Sequence, residues 1–138
     1  MRLFGKSKKI VEKPKVPTLI KNSNILEKPW GTVETLADYP KFELRKITIL
    51  PGQETSMHRH FNRREYWWVE SGGGVVEVSE DPIKYRHKYA ITSDKEAVIN
   101  KGQWHKIINN STNTSLVIVE FAIGTVEEED IERLIDGA

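Results

Sequence analysis

The sequence contains no cysteine. Disulfides and thiolate metal sites are therefore both excluded, and the chain fits a reducing compartment without requiring one. No apolar run approaches the ~18 residues that span a bilayer. The N-terminus is basic but lacks the apolar stretch of ~7–15 residues that marks a secretory signal, so a cytoplasmic location is expected. An excess of one charge is also missing. Twenty-one Lys and Arg face 20 Asp and Glu, a formal net charge of +1. No global field points to nucleic acid or to a membrane surface, and neither is expected as a partner. There is no internal repeat and no Gly-rich nucleotide loop.

What is present fits one domain. At 138 residues, 38% of them hydrophobic, the chain can bury a single core but not two. Charge is uneven along it. Residues 1–24 hold seven Lys or Arg and one Glu, whereas residues 120–138 hold seven acids and Arg133. These are either two solvated termini or an arm that lies against the acidic tail. The composition of residues 1–24, with Lys6, Lys8, Lys9, Lys13, Pro14, Lys15 and Pro17, predicts a poorly packed arm, and the globular domain is expected over 25–138.

From Phe42 on, β-formers dominate. Phe42–Leu50 stops at Pro51-Gly52, a turn pair. The aromatic run Glu65–Glu70 stops at Gly72-Gly73-Gly74, and Val75–Val78 follows, which reads as a hairpin. Tyr85–Thr92, Ala97–Ile99, His105–Asn109 and Leu116–Ile123 give further short strands. That spacing predicts an all-β sandwich or barrel rather than βαβ units. One helix is expected, at Glu127–Ile135. Its acids fall in the first turn, where the helix dipole favours them, and Ile131, Leu134 and Ile135 make an apolar stripe.

Three of the four histidines fall into one pattern. After Gly52 come five residues, then His58, His60, Glu65 and Gly72. Farther on come Gly102, His105 and Asn109. Strand side chains alternate, so His58 and His60 share one face, Glu65 and Trp67 share another, and His105 shares a third with Ile107 and Asn109. Closing a barrel brings these faces together. Three imidazoles and a carboxylate then make a site for one divalent metal ion: Zn, Mn, Fe, Ni or Co. Only neutral imidazole binds metal, so affinity is expected to fall below about pH 6. His87, in a Lys- and Arg-rich strand, is expected to be exposed.

These two blocks resemble the two motifs of the cupin superfamily, the first without a gap. In the second, Asn100 stands where proline is usual and Asp94 where glycine is usual. The resemblance implies a double-stranded β-helix, or jelly-roll, barrel followed by the short C-terminal helix. A narrower resemblance covers nearly the whole globular part. The chain is similar to the C-terminal, type II mannose-6-phosphate isomerase domain of bifunctional mannose-1-phosphate guanylyltransferases. Lys28-Pro29-Trp30-Gly31 resembles that family's opening motif. Ser56, Met57, Arg63, Glu65, Trp67, Ser71 and Gly72 resemble its first metal block, and Glu129-Asp130-Ile131 with Arg133 its acidic C-terminal segment. His58 departs from the family, which usually has glutamine there. Tyr66 and Phe121-Ala122 also depart.

The resemblance implies an aldose–ketose isomerase of a phosphorylated sugar, with the metal as Lewis acid and an arginine on the phosphate. Arg133 is the first candidate for that catalytic role, against a helical i,i+4 ion pair with Glu129. Arg63 and Arg45 are further substrate-binding candidates. Trp67 is expected to point inward, as core or as a wall for the sugar ring. Lys46 and Glu120 are both open as the base. Trp68 and Trp104 face outward, and at least one is expected to be covered by the N-terminal arm or a second subunit, which favours a homodimer. Two other readings stay open: a different metal-dependent cupin enzyme of the dioxygenase type, and a non-catalytic sugar-binding module. An apolar cavity would favour the dioxygenase.

Overall fold

A computed structural model describes residues 18–135, with side chains from Asn24 onward. All regular elements among them are strands. These are β1 (Thr18–Lys28), β2 (Gly31–Tyr39), β3 (Phe42–Ile49), β4 (His58–Arg59), β5 (Arg63–Ser71), β6 (Gly73–Ser79), β7 (His87–Thr92), β8 (Glu96–Ile99), β9 (Trp104–Ile108), β10 (Leu116–Gly124) and β11 (Glu132–Arg133). They form two antiparallel sheets, one of six strands in the order β1-β2-β3-β10-β5-β8 and one of five in the order β11-β4-β9-β6-β7. β1 runs across the expected boundary between arm and domain; residues 1–17 of that arm lie outside the described residues.

Alternation sets the two faces. In β10, Leu116, Ile118, Glu120 and Ala122 are buried and the residues between them are not. β5 buries Arg63, Glu65, Trp67 and Val69 in the same way. Trp67, Val69, Leu116 and Ile118 pack with Ile47, Ile49, Val76, Ile91, Ile99 and Ile107 into a core at one end of the barrel. Glu65 and Glu120 continue that inward face into the other end, which is open and polar. Asn109, fully buried, ties the core end: its amide donates to the carbonyls of Ile49 and Thr114 at 2.9 Å each.

The structure departs from two of the expectations. β5 and β6 are not a hairpin. β5 pairs with β10 and β8, whereas β6 pairs with β7 and β9 in the other sheet. Gly72 makes the crossing. Its φ is +83°, and a Cβ there would lie 2.3 Å from the Ser115 carbonyl oxygen, so only glycine fits. The C-terminal helix is also absent. Glu128–Glu129 form a turn and β11 pairs with β4, placing Glu132 opposite Arg59 and Arg133 opposite His58. An isolated nine-residue helix is marginal. The segment instead gains ladder bonds, a Leu134 N–H to Met57 carbonyl bond at 2.9 Å and the Arg59–Glu132 ion pair at 2.8 Å.

The two departures from the second motif suit their positions. Asp94 takes φ +69°, a left-handed turn that aspartate tolerates nearly as well as glycine does. Asn100 uses the N–H a proline would lack, donating it to the Gln103 side chain at 3.1 Å.

Candidate metal centre

β4 and β9 pair directly, with His58 opposite His105. His60 follows β4 by one residue and turns toward the same point. The ring centroids lie 4.4 Å apart for His58–His105, 5.0 Å for His58–His60 and 5.6 Å for His60–His105.

Each ring is held by its Nδ1. The Nδ1–H of His58 donates to the Ser56 carbonyl at 2.8 Å, that of His60 to the Asp130 carbonyl at 2.6 Å and that of His105 to the Gln103 carbonyl at 2.9 Å. A carbonyl only accepts, so the three Nε2 atoms are left with lone pairs. One ligand atom from each ring lies within 4.8 Å of the others. The Nε2 of His105 is buried and has no hydrogen-bond partner. A buried orphan acceptor is costly, and a metal ion would satisfy it. His58, His60 and His105 could therefore hold a metal, with backbone carbonyls fixing their tautomers as outer-shell partners do at metal sites.

The rings stay neutral over a wide pH range. Burial lowers His58 to about 3, with His105, Arg63 and Arg133 adding to the shift. Burial and the Arg63 charge lower His60 to about 4, and burial chiefly lowers His105 to about 4. Protonation in the folded protein therefore falls well below the pH 6 expected from free imidazole.

Glu65 is beside the cluster. Its Oε2 is 3.6 Å from His60 Nε2 and its Oε1 3.6 Å from His105 Nε2. Both oxygens already accept hydrogen bonds, from Arg63 Nε at 2.9 Å and Trp67 Nε1 at 3.1 Å. Arg63 is 6% exposed, and its Nη2 also donates to His60 Nε2 at 2.9 Å. It is thus engaged with the centre itself. Arg45 forms an ion pair, its Nε 3.0 Å from Glu120 Oε1 but without hydrogen-bond geometry between those two atoms. Glu120 is 1% exposed, and burial together with nearby Glu65 raises its pKa against the opposing pull of Arg45.

All of these residues line one cavity of about 450 Å³. Trp67 lines it too, while belonging to the core cluster. At the mouth are Glu127, Glu128, Ile131 and Arg133. Arg133 is exposed, and without a helix the i,i+4 spacing to Glu129 does not arise. Of the two base candidates, Glu120 faces the cavity. Lys46 is on the opposite parity of β3 and faces outward. His87 is exposed, as expected. Trp104 is covered within the chain, the Arg59 guanidinium resting 4.6 Å from its ring.

The role of Asp130 at the site is not legible in the sequence. Asp130 holds His60 through its backbone carbonyl, and its carboxylate accepts the N–H groups of Phe61 and Asn62 at 2.9 Å each. The partners lie about 70 residues apart in sequence, and no local pattern joins them.

Residues 18–136 match the family model described as "Mannose-6-phosphate isomerase C-terminal". The chain belongs to this family. Members of the mannose-1-phosphate guanylyltransferase group are similar to it. The one from Sinorhizobium fredii is 31% identical over 87% of the chain and 21% of its own length. The xanthan biosynthesis protein XanB of Xanthomonas campestris is 27% identical over 97% of the chain and 29% of its own length. The chain thus spans less than a third of these relatives. Among solved structures, the capsular polysaccharide assembling protein CapF of Staphylococcus aureus matches with a TM-score of 0.73 at 19% identity, over 81% of the chain and 34% of CapF. The formate complex of Lactobacillus farciminis oxalate decarboxylase matches with a TM-score of 0.68 at 18% identity, over 82% of the chain and 34% of that protein. These likenesses place the family domain in the cupin fold. No helix among the described residues is long and apolar enough to cross a membrane.

Proposed function

We propose that this domain is a metal-dependent aldose–ketose isomerase acting on mannose 6-phosphate, with the cytoplasm as its expected setting. The observation that carries the reading is the convergence of three neutral imidazoles, Nε2 inward, on a cavity that also holds carboxylates and arginines. His58, His60 and His105 would hold the ion, with Glu65 as fourth ligand, once Arg63 releases both His60 Nε2 and the Glu65 carboxylate. A bound divalent ion supplies Lewis-acid polarisation of a sugar oxygen.

The chain's own residues have separate tasks. Arg133, at the mouth opposite His58, binds the phosphate dianion. Glu120, inside the cavity, carries the proton between C1 and C2. Arg45, 3.0 Å from Glu120, orients that carboxyl. Trp67 closes the floor and keeps water from the reacting carbons.

The charged lining sets this reading apart from a dioxygenase acting on an apolar substrate. Arg45, Arg63, Arg133, Glu43, Glu65 and Glu120 would all oppose such a ligand. The test is conversion of mannose 6-phosphate to fructose 6-phosphate by metal-loaded protein, with and without chelator. Turnover that chelation abolishes is expected. No turnover by loaded protein would sink the isomerase reading.

A further inference from the structure

The Arg63 guanidinium holds two atoms at once. Its Nη2 donates to His60 Nε2 and its Nε to Glu65 Oε2, at 2.9 Å each. It therefore bridges two of the four groups proposed to hold the ion. A neutral imidazole has one in-plane lone pair, on the nitrogen that carries no hydrogen. The Nδ1–H of His60 is on the Asp130 carbonyl, so that lone pair is on Nε2 and accepts one partner at a time. Arg63 and a metal ion exclude each other there. Charge gives a second reason. Arg63 is 6% exposed and Glu65 3%, so the guanidinium compensates this carboxylate out of water. A divalent ion on Glu65 would replace that compensation and repel the guanidinium beside it. The strand register leaves a way in. His58 and His105 face each other across β4 and β9, their ring centroids 4.4 Å apart. His105 Nε2 is buried without a hydrogen-bond partner. These two rings can take an ion before His60 is free.

We infer, given the ion site proposed for this cavity, that Arg63 is a built-in competitor of the metal. It holds His60 and Glu65 in place as a surrogate cation, and it leaves both when the ion gains them as ligands. Arg63 is thus a positioning residue that sets the affinity of the site. A site whose competent form is only part of the population binds more weakly in proportion. If Arg63 holds His60 in about nine molecules of ten, binding is weakened about tenfold. The competition also selects among cations. An ion displaces Arg63 by gaining a nitrogen ligand, which favours Zn or Ni and gives little to Mg, an oxygen-seeking ion.

Titration calorimetry with Zn alone, on wild type, Arg63→Met and Arg63→Lys, tests this without a turnover assay. Met keeps the bulk and removes the cation, so Zn should bind about tenfold tighter than in wild type. Lys keeps a charge beside Glu65 but lacks the fork that reaches two acceptors, so its affinity should fall between the two. A residue that only supported the site would weaken binding when removed, the opposite sign. Arg63→Met leaves Glu65 buried without its cation, so its fold is checked by circular dichroism and a wild-type measurement stands beside it. The buried Nε–H of Arg63 should give a slowly exchanging nitrogen NMR resonance, assigned by its loss in Arg63→Lys. One equivalent of Zn should move that resonance, and millimolar Mg should not. If wild type binds Zn while the resonance stays in place, or if folded Arg63→Met binds no tighter, the competition is overturned and the ion site stands. If none of the three proteins binds Zn, the ion site and the competition fall together.

Discussion

At the scale of single residues, the spacing of His58, His60 and His105 is informative because strand side chains have a period of two. Partners on separate strands can then be placed on one face from sequence alone. What a side chain does once inside is not legible this way. Arg63 falls between His60 and Glu65 in the sequence and reads as a phosphate ligand. The structure gives its guanidinium to Glu65 and His60. Arg45 is similarly committed to Glu120. Of the three arginines named for the phosphate, Arg133 is the one at the mouth. Arg133→Ala should therefore raise the KM for mannose 6-phosphate about tenfold or more, the cost of one charge-assisted contact of roughly 1.5–3 kcal/mol. Metal content should not change. Steady-state kinetics with metal analysis checks both, and an unchanged KM would remove Arg133 from the substrate.

At the scale of elements, the errors share a cause. Glu65–Glu70, Gly72–Gly74 and Val75–Val78 have the local chemistry of a hairpin, but each strand has better partners far away. Gly72 therefore turns the chain across the barrel instead of back on itself. β1 and β2 are missed because their alternation is interrupted: their register shifts at Leu19/Asn24 in one pairing and at Thr35/Ala37 in the next. The C-terminal segment has helical composition, yet tertiary bonds to β4 outweigh a short helix. Asp130 is the clip that attaches it. Asp130→Ala would leave the Phe61 and Asn62 N–H groups without acceptors and loosen the carbonyl that orients His60. Outer-shell losses of this kind cost about 10- to 100-fold in metal affinity, and that drop is expected in titrations of the apo protein. Asp130→Asn, which keeps one acceptor, should fall between Ala and wild type. Wild-type affinity in Asp130→Ala would show that the clip does not position His60.

For the whole molecule, the jelly-roll class was readable from short β-rich segments and turn residues, whereas sheet order was not. Strand order depends on which buried faces meet, a property of the closed barrel. The metal-free barrel also carries a pH dependence. His58 has a pKa near 3 and the buried His60 and His105 near 4, all below the 6.5 of an unfolded imidazole. Between those values the unfolded chain binds more protons, so stability falls as pH drops from about 6.5 toward 4. Glu120, raised by burial, works in the opposite sense. A net uptake of one to two protons on unfolding corresponds to about 1–3 kcal/mol per pH unit. Denaturant titrations of apo protein at pH 7, 6 and 5 should show this decline. Equal stability at all three would mean that the rings are not desolvated as the structure places them.

The central claim is that His58, His60 and His105 form a preorganised divalent-metal site. Calorimetric titration of chelator-treated protein with Mn, Zn or Ni, with elemental analysis, tests it most directly. One equivalent bound per chain at pH 7 is expected, with loss of that binding in His105→Ala and the fold retained by circular dichroism. No bound metal in wild type, or full stoichiometric binding in the folded variant at undiminished affinity, would contradict it.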